Sequence, residues 1–210
     1  MRGRGDETLS NHHIKALLFL IVLVPGVMAL RSGFTVLPAQ AQAPATQTFK
    51  DNKELVRLYR EDQADRAPAS AKDIDWSVVG PRDKARLSRV KELYLQNNLN
   101  SGADYYHAAM ILQHSDTPED FLLAHEFCVV AIVKGKNDKD TKWLAAASED
   151  RFLMNIDRPQ RFATQYRADP VTAPFRLYRV DESVTDELRR ALSAPSLAKA
   201  RAREVEINKK

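Results

Sequence analysis

The sequence predicts a mainly α-helical domain, an irregular bundle of about five or six helices with a small β hairpin near the C-terminal third. Apolar residues recur at helical spacing, polar helix-start motifs precede several of these runs, and glycine is scarce. Only Gly80, Gly102 and Gly135 follow residue 41, and each falls beside a predicted helix boundary. A dinucleotide crevice or a phosphate-binding loop needs several glycines close together, so the sequence excludes both.

Two helix-start motifs lie in the middle of the chain. Ser101 is followed three residues later by Asp104, which is a capping-box pattern. Thr117-Pro118 is followed by two acidic residues, which places a cap hydroxyl, a proline and negative charge at the positive end of a helix dipole. Gly135 is expected to end that helix.

The remaining elements follow from apolar spacing, from proline positions and from strand-like composition. Gly80-Pro81 is expected to break the chain after a short apolar patch at residues 76–79. The resulting prediction is helices over 50–65, 82–97, 101–112, 117–134, 143–155 and 183–192, hairpin strands over 162–166 and 175–180, and a charged, partly frayed tail over 196–210.

The N-terminal segment resembles an export signal. Arg2, Arg4 and Lys15 precede the apolar run 16–24, and small-residue cleavage sites follow, of which Ala39-Gln40-Ala41 is preferred over Val27-Met28-Ala29. The apolar stretch is shorter than the ~20 residues of a membrane-spanning helix, so cleavage is favoured over an uncleaved anchor. The expected organisation is a signal peptide or anchor at 1–41, a linker at 42–49, one domain at 50–195 and the tail, located in the periplasm or secreted.

Composition excludes several classes of partner. Residues 1–41 hold four basic and two acidic residues, so their removal lowers the formal charge from +4 to +2. Binding to nucleic acid is therefore not expected. A membrane contact is expected only through an uncleaved N-terminal segment. The one cysteine, Cys128, lies in an apolar run and is expected to pack in the core rather than react.

Complete catalytic or metal motifs are not found in the sequence. His107 and His114 are seven residues apart, about 10 Å along a helix, which is too far for one metal ion. The run from His125 begins like a zinc-protease motif but has Val129 where the second histidine belongs. A Gly-x-Ser-x-Gly elbow is absent. No metal or cofactor is expected. The neighbours Asp150 and Arg151 point about 100° apart on a helix, so each is a candidate for a different polar contact.

Several short motifs together resemble an uncharacterised bacterial family known only as a domain of unknown function. They run, in order, as Glu61-Asp62-Gln63-Ala64-Asp65-Arg66, Tyr106-His107-Ala108-Ala109, Gln113-His114-Ser115-Asp116-Thr117-Pro118-Glu119-Asp120, Trp143-Leu144-Ala145-Ala146-Ala147, Asp150-Arg151 and Pro159-Gln160-Arg161-Phe162-Ala163-Thr164-Gln165. The resemblance covers roughly residues 55–195. In that family the positions of Asp157 and Ala163 are usually glycine, so this chain departs from it at both.

The resemblance implies a group of polar residues with a shared role. The group consists of Gln63, His114, Asp116, Asp150, Arg151, Gln160, Thr164 and Gln165. Three hypotheses cover it. The first is a binding or interaction module of the cell envelope, for a small molecule or an envelope protein. The second is a hydrolase-like enzyme with His114 as general base, Asp116 or Asp150 orienting it, and Arg151 holding an anionic group. The third is a buried polar network with no ligand.

Overall fold

The computed structural model describes residues 49–67, 73–168 and 173–209, and these form a mainly helical fold with one small antiparallel hairpin, as predicted. The predicted export segment at 1–41 lies outside the described residues, as does the linker up to residue 48. The elements are α1 (Lys53–Asp65), α2 (Trp76–Leu95), α3 (Gly102–Leu112), α4 (Pro118–Val133), α5 (Lys139–Asn155), β1 (Tyr166–Arg167), β2 (Arg176–Leu177), α6 (Asp186–Ala191) and α7 (Leu197–Ile207).

The core lies where α4 packs against α3 on one side and α5 on the other, with α1 and α2 packed on α3. Small side chains allow the close approach: Ala124 and Ala131 of α4 and Ala145 of α5 are all buried. At Gly102 a Cβ atom would stand 2.9 Å from the carbonyl oxygen of Ala131, so the start of α3 requires glycine.

The capping box predicted at the start of α3 is confirmed. The Ser101 hydroxyl accepts a hydrogen bond from the backbone N–H of Asp104 (3.0 Å), and the Asp104 carboxylate accepts one from the backbone N–H of Ser101 (3.2 Å). The same carboxylate accepts from the backbone N–H of Asn52 at 2.8 Å. Asn52 is itself the N-cap of α1, so one buried acid joins the starts of two helices.

The break predicted at Gly80-Pro81 is wrong, because α2 runs through both residues. It begins five residues before Pro81, at Trp76, where the Asp75 carboxylate accepts from the backbone N–H of Ser77 (3.0 Å). Proline removes the hydrogen bond to the carbonyl of Ser77, which is an exposed residue in the first turn of the helix. Burial of α2 residues such as Val79 outweighs this local cost.

Other boundaries also differ from the prediction. The Thr117 hydroxyl makes no capping hydrogen bond at the start of α4; instead the Ser115 hydroxyl accepts from the Thr117 N–H (3.2 Å) and donates to Asp120 (2.6 Å). Helix α5 begins at Lys139, earlier than predicted, because Asp138 caps it. The hairpin strands are two residues each, shorter than predicted.

The C-terminal residues, predicted as a partly frayed tail, contain α7, which is docked on the hairpin. The Tyr166 hydroxyl donates to the backbone carbonyl of Ala200 (2.8 Å). The Asn208 side chain exchanges two hydrogen bonds with the backbone of Phe175, both 2.8 Å. These contacts set α7 beside the segment that joins α5 to β1, where the candidate site lies.

Candidate functional site

The eight polar residues predicted from the sequence fall into two groups and one outlier. Five surround the turn between α5 and β1: Asp150, Arg151, Gln160, Thr164 and Gln165. Gln63 and His114 lie at a separate ion-pair cluster on α1, α2 and the end of α3. Asp116 is exposed, and its side chain makes no hydrogen bond or ion pair to any residue that the structure describes.

Asp150 is the centre of the first group. Its side chain is fully buried on α5, and Oδ1 accepts from the backbone N–H groups of Arg161 (2.7 Å) and Phe162 (2.9 Å). Oδ2 accepts from the backbone N–H (3.0 Å) and the hydroxyl (2.8 Å) of Thr164. Burial raises the pKa of Asp150, and these hydrogen bonds oppose that effect. The carboxylate thereby holds the turn 161–164 against α5.

Gln160 and Gln165 lock the same turn from the other side. The Gln160 amide nitrogen donates to the carbonyls of Gln165 and Tyr178, both at 2.9 Å, and its oxygen accepts from the Gln165 N–H (2.8 Å). The Gln165 amide nitrogen donates to the carbonyl of Ala147 (3.3 Å) and to the Thr164 hydroxyl (3.0 Å). Because these buried amides are paired, the turn is fixed to both α5 and the hairpin.

Arg151 lies next to this network and is the one positively charged residue of the first group. Nη1 donates to the backbone carbonyl of Gln113 (2.6 Å), and Nε donates to the Gln165 side-chain oxygen (3.4 Å). The guanidinium also lies over the Phe121 ring, 5.6 Å from its centroid. Burial lowers the pKa of Arg151, and within the described residues its side chain forms no ion pair. Its hydrogen-bonding partners are therefore neutral oxygens.

An open groove of about 770 Å³ lies between α5, the turn and α7. The first group supplies Arg151, Thr164 and Gln165 to its wall. The other lining residues are Trp143, Ala163, Tyr166, Ser193, Ala194, Pro195, Lys199, Ala202, Arg203, Glu206 and Ile207. Lys199 and Arg203 were missed by the sequence analysis because a charge-rich C-terminal segment is typical of a solvated tail. Asp150 and Gln160 do not line the groove but hold the segment that does.

Two residues near the turn adopt a backbone conformation that favours glycine. Asp157 and Ala163 both adopt positive φ angles, 54° and 59°. This left-handed conformation costs a residue with a Cβ roughly 1 kcal/mol or more. These are the two positions at which the motif resemblance predicts glycine. Both residues carry a Cβ in a conformation that suits glycine better, and Ala163 stands in the groove wall.

We expect Ala163→Gly to raise the free energy of unfolding by about 0.5–1 kcal/mol, because glycine adopts a φ of 59° without strain. Denaturant unfolding of the full chain measures it. The matched control is Ala146→Gly, at another buried alanine in helical conformation, which should lower stability by about 1 kcal/mol or more. A loss of stability in both variants would show that Ala163 is not strained.

The second group is an ion-pair cluster that fastens α1 to α2. Arg66 contacts Asp62 (2.9 Å) and Asp83 (2.6 Å), while the buried Arg86 contacts Asp83 (2.7 Å) and Asp65 (2.8 Å). A third contact, 3.9 Å long, joins Arg86 to Asp62. Asp62 and Arg86 were missed as site residues, although the Asp-x-x-Arg spacing of Asp83 and Arg86 is a pattern of paired charges on a helix. Each cation bridges two or more carboxylates, so the cluster acts as a unit.

His114 belongs to this cluster rather than to the turn. Its Nε2 lies 3.4 Å from Asp62 Oδ2 and, although sealed from solvent, makes no hydrogen bond to the described residues. The hydrolase hypothesis assigns the place beside His114 to Asp116 or Asp150, whereas the structure gives it to Asp62. Asp150 is engaged by the turn. The residues of that hypothesis are therefore distributed over three places, with His114 at the ion-pair cluster, Asp116 exposed, and Asp150 and Arg151 at the turn.

The two other histidines that the structure describes, His107 and His125, are partly buried, and the cysteine lies in the core. His107 stacks on Tyr59 at 4.2 Å between ring centroids, and burial lowers its pKa. The His125 Nδ1 lies 2.9 Å from the carbonyl of Ala145. Cys128 is fully buried, which raises its pKa to about 12. Within residues 49–67, 73–168 and 173–209, no three His, Cys, Asp or Glu side chains are grouped so that they could hold a metal ion.

No family model matches the chain, and neither a curated protein nor a solved structure matches it. The resemblance drawn from the motifs therefore stays a prediction. Among the described helices, none is long and apolar enough to cross a membrane.

Proposed function

We propose that the protein is an exported binding module and that the groove between α5, the turn and α7 is its ligand site. The observation that carries the proposal is the position of the motif residues: Arg151, Thr164 and Gln165 converge on the wall of one open cavity of about 770 Å³. Small-molecule sites are typically concave and of ~300–1,000 Å³, with a few polar groups that fix orientation.

The wall of the groove is held in place before any ligand arrives. Asp150 and Gln160 fix the turn through backbone hydrogen bonds, and Tyr166 fixes α7 through the carbonyl of Ala200. A binding site whose walls are already ordered avoids part of the entropic cost of association. Asp150 and Gln160 therefore have a structural role, and Arg151 contacts the ligand.

A second candidate is a purely structural network without ligand. It is favoured by the pairing of Asp150, Gln160 and Gln165, whose hydrogen bonds are accounted for by the fold itself. It gives no reason for the charge of Arg151, which faces the groove with neutral partners only. The two candidates make opposite predictions for a variant that fills the groove.

Thermal unfolding of the full chain against a panel of neutral and charged small metabolites tests the proposal. At least one compound should raise the Tm, since a ligand at a hundred times its Kd adds about 2.7 kcal/mol to the native state. Ala202→Trp, in the groove wall, should abolish the shift. Val205→Trp, at an exposed position of α7 outside the groove, should retain it. No shift in wild type, or an equal shift in Ala202→Trp, would favour the structural candidate.

Export is the part of the proposal that rests on the sequence alone, since residues 1–41 lie outside the described residues. N-terminal sequencing of the protein recovered from the cell envelope tests it. A chain beginning at Gln42 is the expected result. Recovery of the intact chain only from the cytoplasm would contradict it.

A further inference from the structure

The groove carries an excess of positive charge. Arg151, Lys199 and Arg203 line it against one carboxylate, that of Glu206. None of these three cations has an ion-pair partner within the described residues. By contrast Arg201, on another face of the same helix, pairs with Glu182 at 2.8 Å. Three cations without a carboxylate partner among the described residues thus line the groove.

Arg151 is oriented but not neutralised. Its Nε and Nη1 donate to neutral oxygens of Gln165 and Gln113, which hold the guanidinium plane without cancelling its charge. Nη2 makes no hydrogen bond to the described residues, and it is not sealed from solvent. A partly buried cation that lacks an anion is costly, and an anionic ligand would remove that cost. Guanidinium groups suit carboxylates and phosphates because two N–H groups fit two oxygens.

Seven of the other ten lining residues are apolar or aromatic, and Thr164, Gln165 and Ser193 are polar. Trp143 is 42% exposed, and Tyr166 and Ile207 lie along the same groove. Pro195 and Ala202 add further apolar surface. A ligand that is only an anion leaves this surface uncovered, whereas a ring or a short hydrocarbon attached to the anion covers it.

We propose, resting on the groove being the ligand site, that it binds a small amphipathic anion. The carboxylate or phosphate of the ligand pairs with Arg151, with Lys199 and Arg203 nearby, and its apolar part lies against Trp143 and Tyr166. The shared requirement is an oxyanion on an apolar body. The identity of the oxyanion is a result of the test.

Calorimetric titration of the full chain with phenyl phosphate, phenylacetate, phenol and inorganic phosphate separates the contributions. We expect phenyl phosphate or phenylacetate to bind at least about tenfold more tightly than either phenol or inorganic phosphate. The compound of these two that binds more tightly shows whether the site prefers a phosphate or a carboxylate. Equal affinity for phenol and phenyl phosphate would overturn the proposal, because the cations would then contribute nothing.

Variants locate the contact. Arg151→Gln should weaken phenyl phosphate binding about tenfold and leave phenol binding unchanged. Arg203→Gln is the second variant, because it is exposed and does not depend on a buried contact; it should weaken binding about threefold. Arg201→Gln removes the same charge from the neighbouring face of α7 and should have no effect. Equal effects of Arg203→Gln and Arg201→Gln would overturn the proposed location.

The failure of this inference differs from failure of the proposed function. If neutral compounds bind at least as tightly as phenyl phosphate and phenylacetate, and Ala202→Trp blocks them, the groove is a binding site but not one for anions. If neither neutral nor anionic compounds bind in the groove, both proposals fall together.

Discussion

Replacing Asp150 by asparagine should lower the free energy of unfolding by about 3 kcal/mol. The buried carboxylate accepts hydrogen bonds from the backbone N–H groups of Arg161, Phe162 and Thr164. An amide has one oxygen and one NH2 group, so at least one of these N–H groups faces a donor. Each buried donor without a partner costs roughly 1–3 kcal/mol, and the two facing N–H groups also repel. Denaturant unfolding monitored by circular dichroism measures the loss.

Asp116→Asn is the matched control, since it makes the same chemical change at an exposed carboxylate of the neighbouring motif. Its stability should stay within about 0.5 kcal/mol of wild type. Comparable losses in the two variants, or a loss below about 1 kcal/mol for Asp150→Asn, would contradict the role of Asp150 in holding the turn.

Arg86→Met should lower the free energy of unfolding by about 3 kcal/mol at neutral pH. The buried guanidinium lies 2.7 Å from an oxygen of Asp83 and 2.8 Å from one of Asp65. Its removal leaves several carboxylates, including the buried Asp62, with too little positive charge around them. Arg82→Met is the control, because Arg82 also pairs with Asp65 but is exposed; it should cost no more than about 0.5 kcal/mol.

Arg86→Met should also change the pH dependence of the free energy of unfolding. Burial acts to raise the pKa of Asp83, but hydrogen bonds from Arg66 and Arg86 hold the pKa below the ordinary value of 3.8. A lowered pKa stabilises the fold above the unfolded pKa, and this contribution is lost as the pH falls through the folded pKa. The difference between wild type and Arg86→Met should therefore shrink as the pH is lowered from 5 to below about 4. A difference that grows on acidification would contradict the assignment.

Local signals predicted much of the helical part of the fold. The capping box at Ser101 and the glycine stop at Gly135 depend only on neighbouring residues, so both could be read from the sequence. The break predicted at Pro81 was wrong because the local cost of proline is outweighed by burial elsewhere along α2. The docking of α7 could not be predicted, since it depends on hydrogen bonds to Tyr166 and Phe175 from a different part of the chain.

Some members of the candidate site could be predicted from the sequence, but its arrangement could not. The motifs identified Asp150, Arg151 and Thr164, but sequence spacing does not indicate that Asp150 binds backbone groups while Arg151 faces a cavity. His114 was assigned to the same set, although its carboxylate neighbour is Asp62, on α1. Such partners are set by helix packing, which a single sequence does not specify.

Amide hydrogen exchange of the full chain, with and without saturating phenyl phosphate, tests the ligand groove most directly. The proposed site predicts slower exchange at residues 163–166 and along α7, with no change in α1, which lies outside the groove. Unchanged exchange in the groove, or slower exchange confined to α1 and α2, would contradict it.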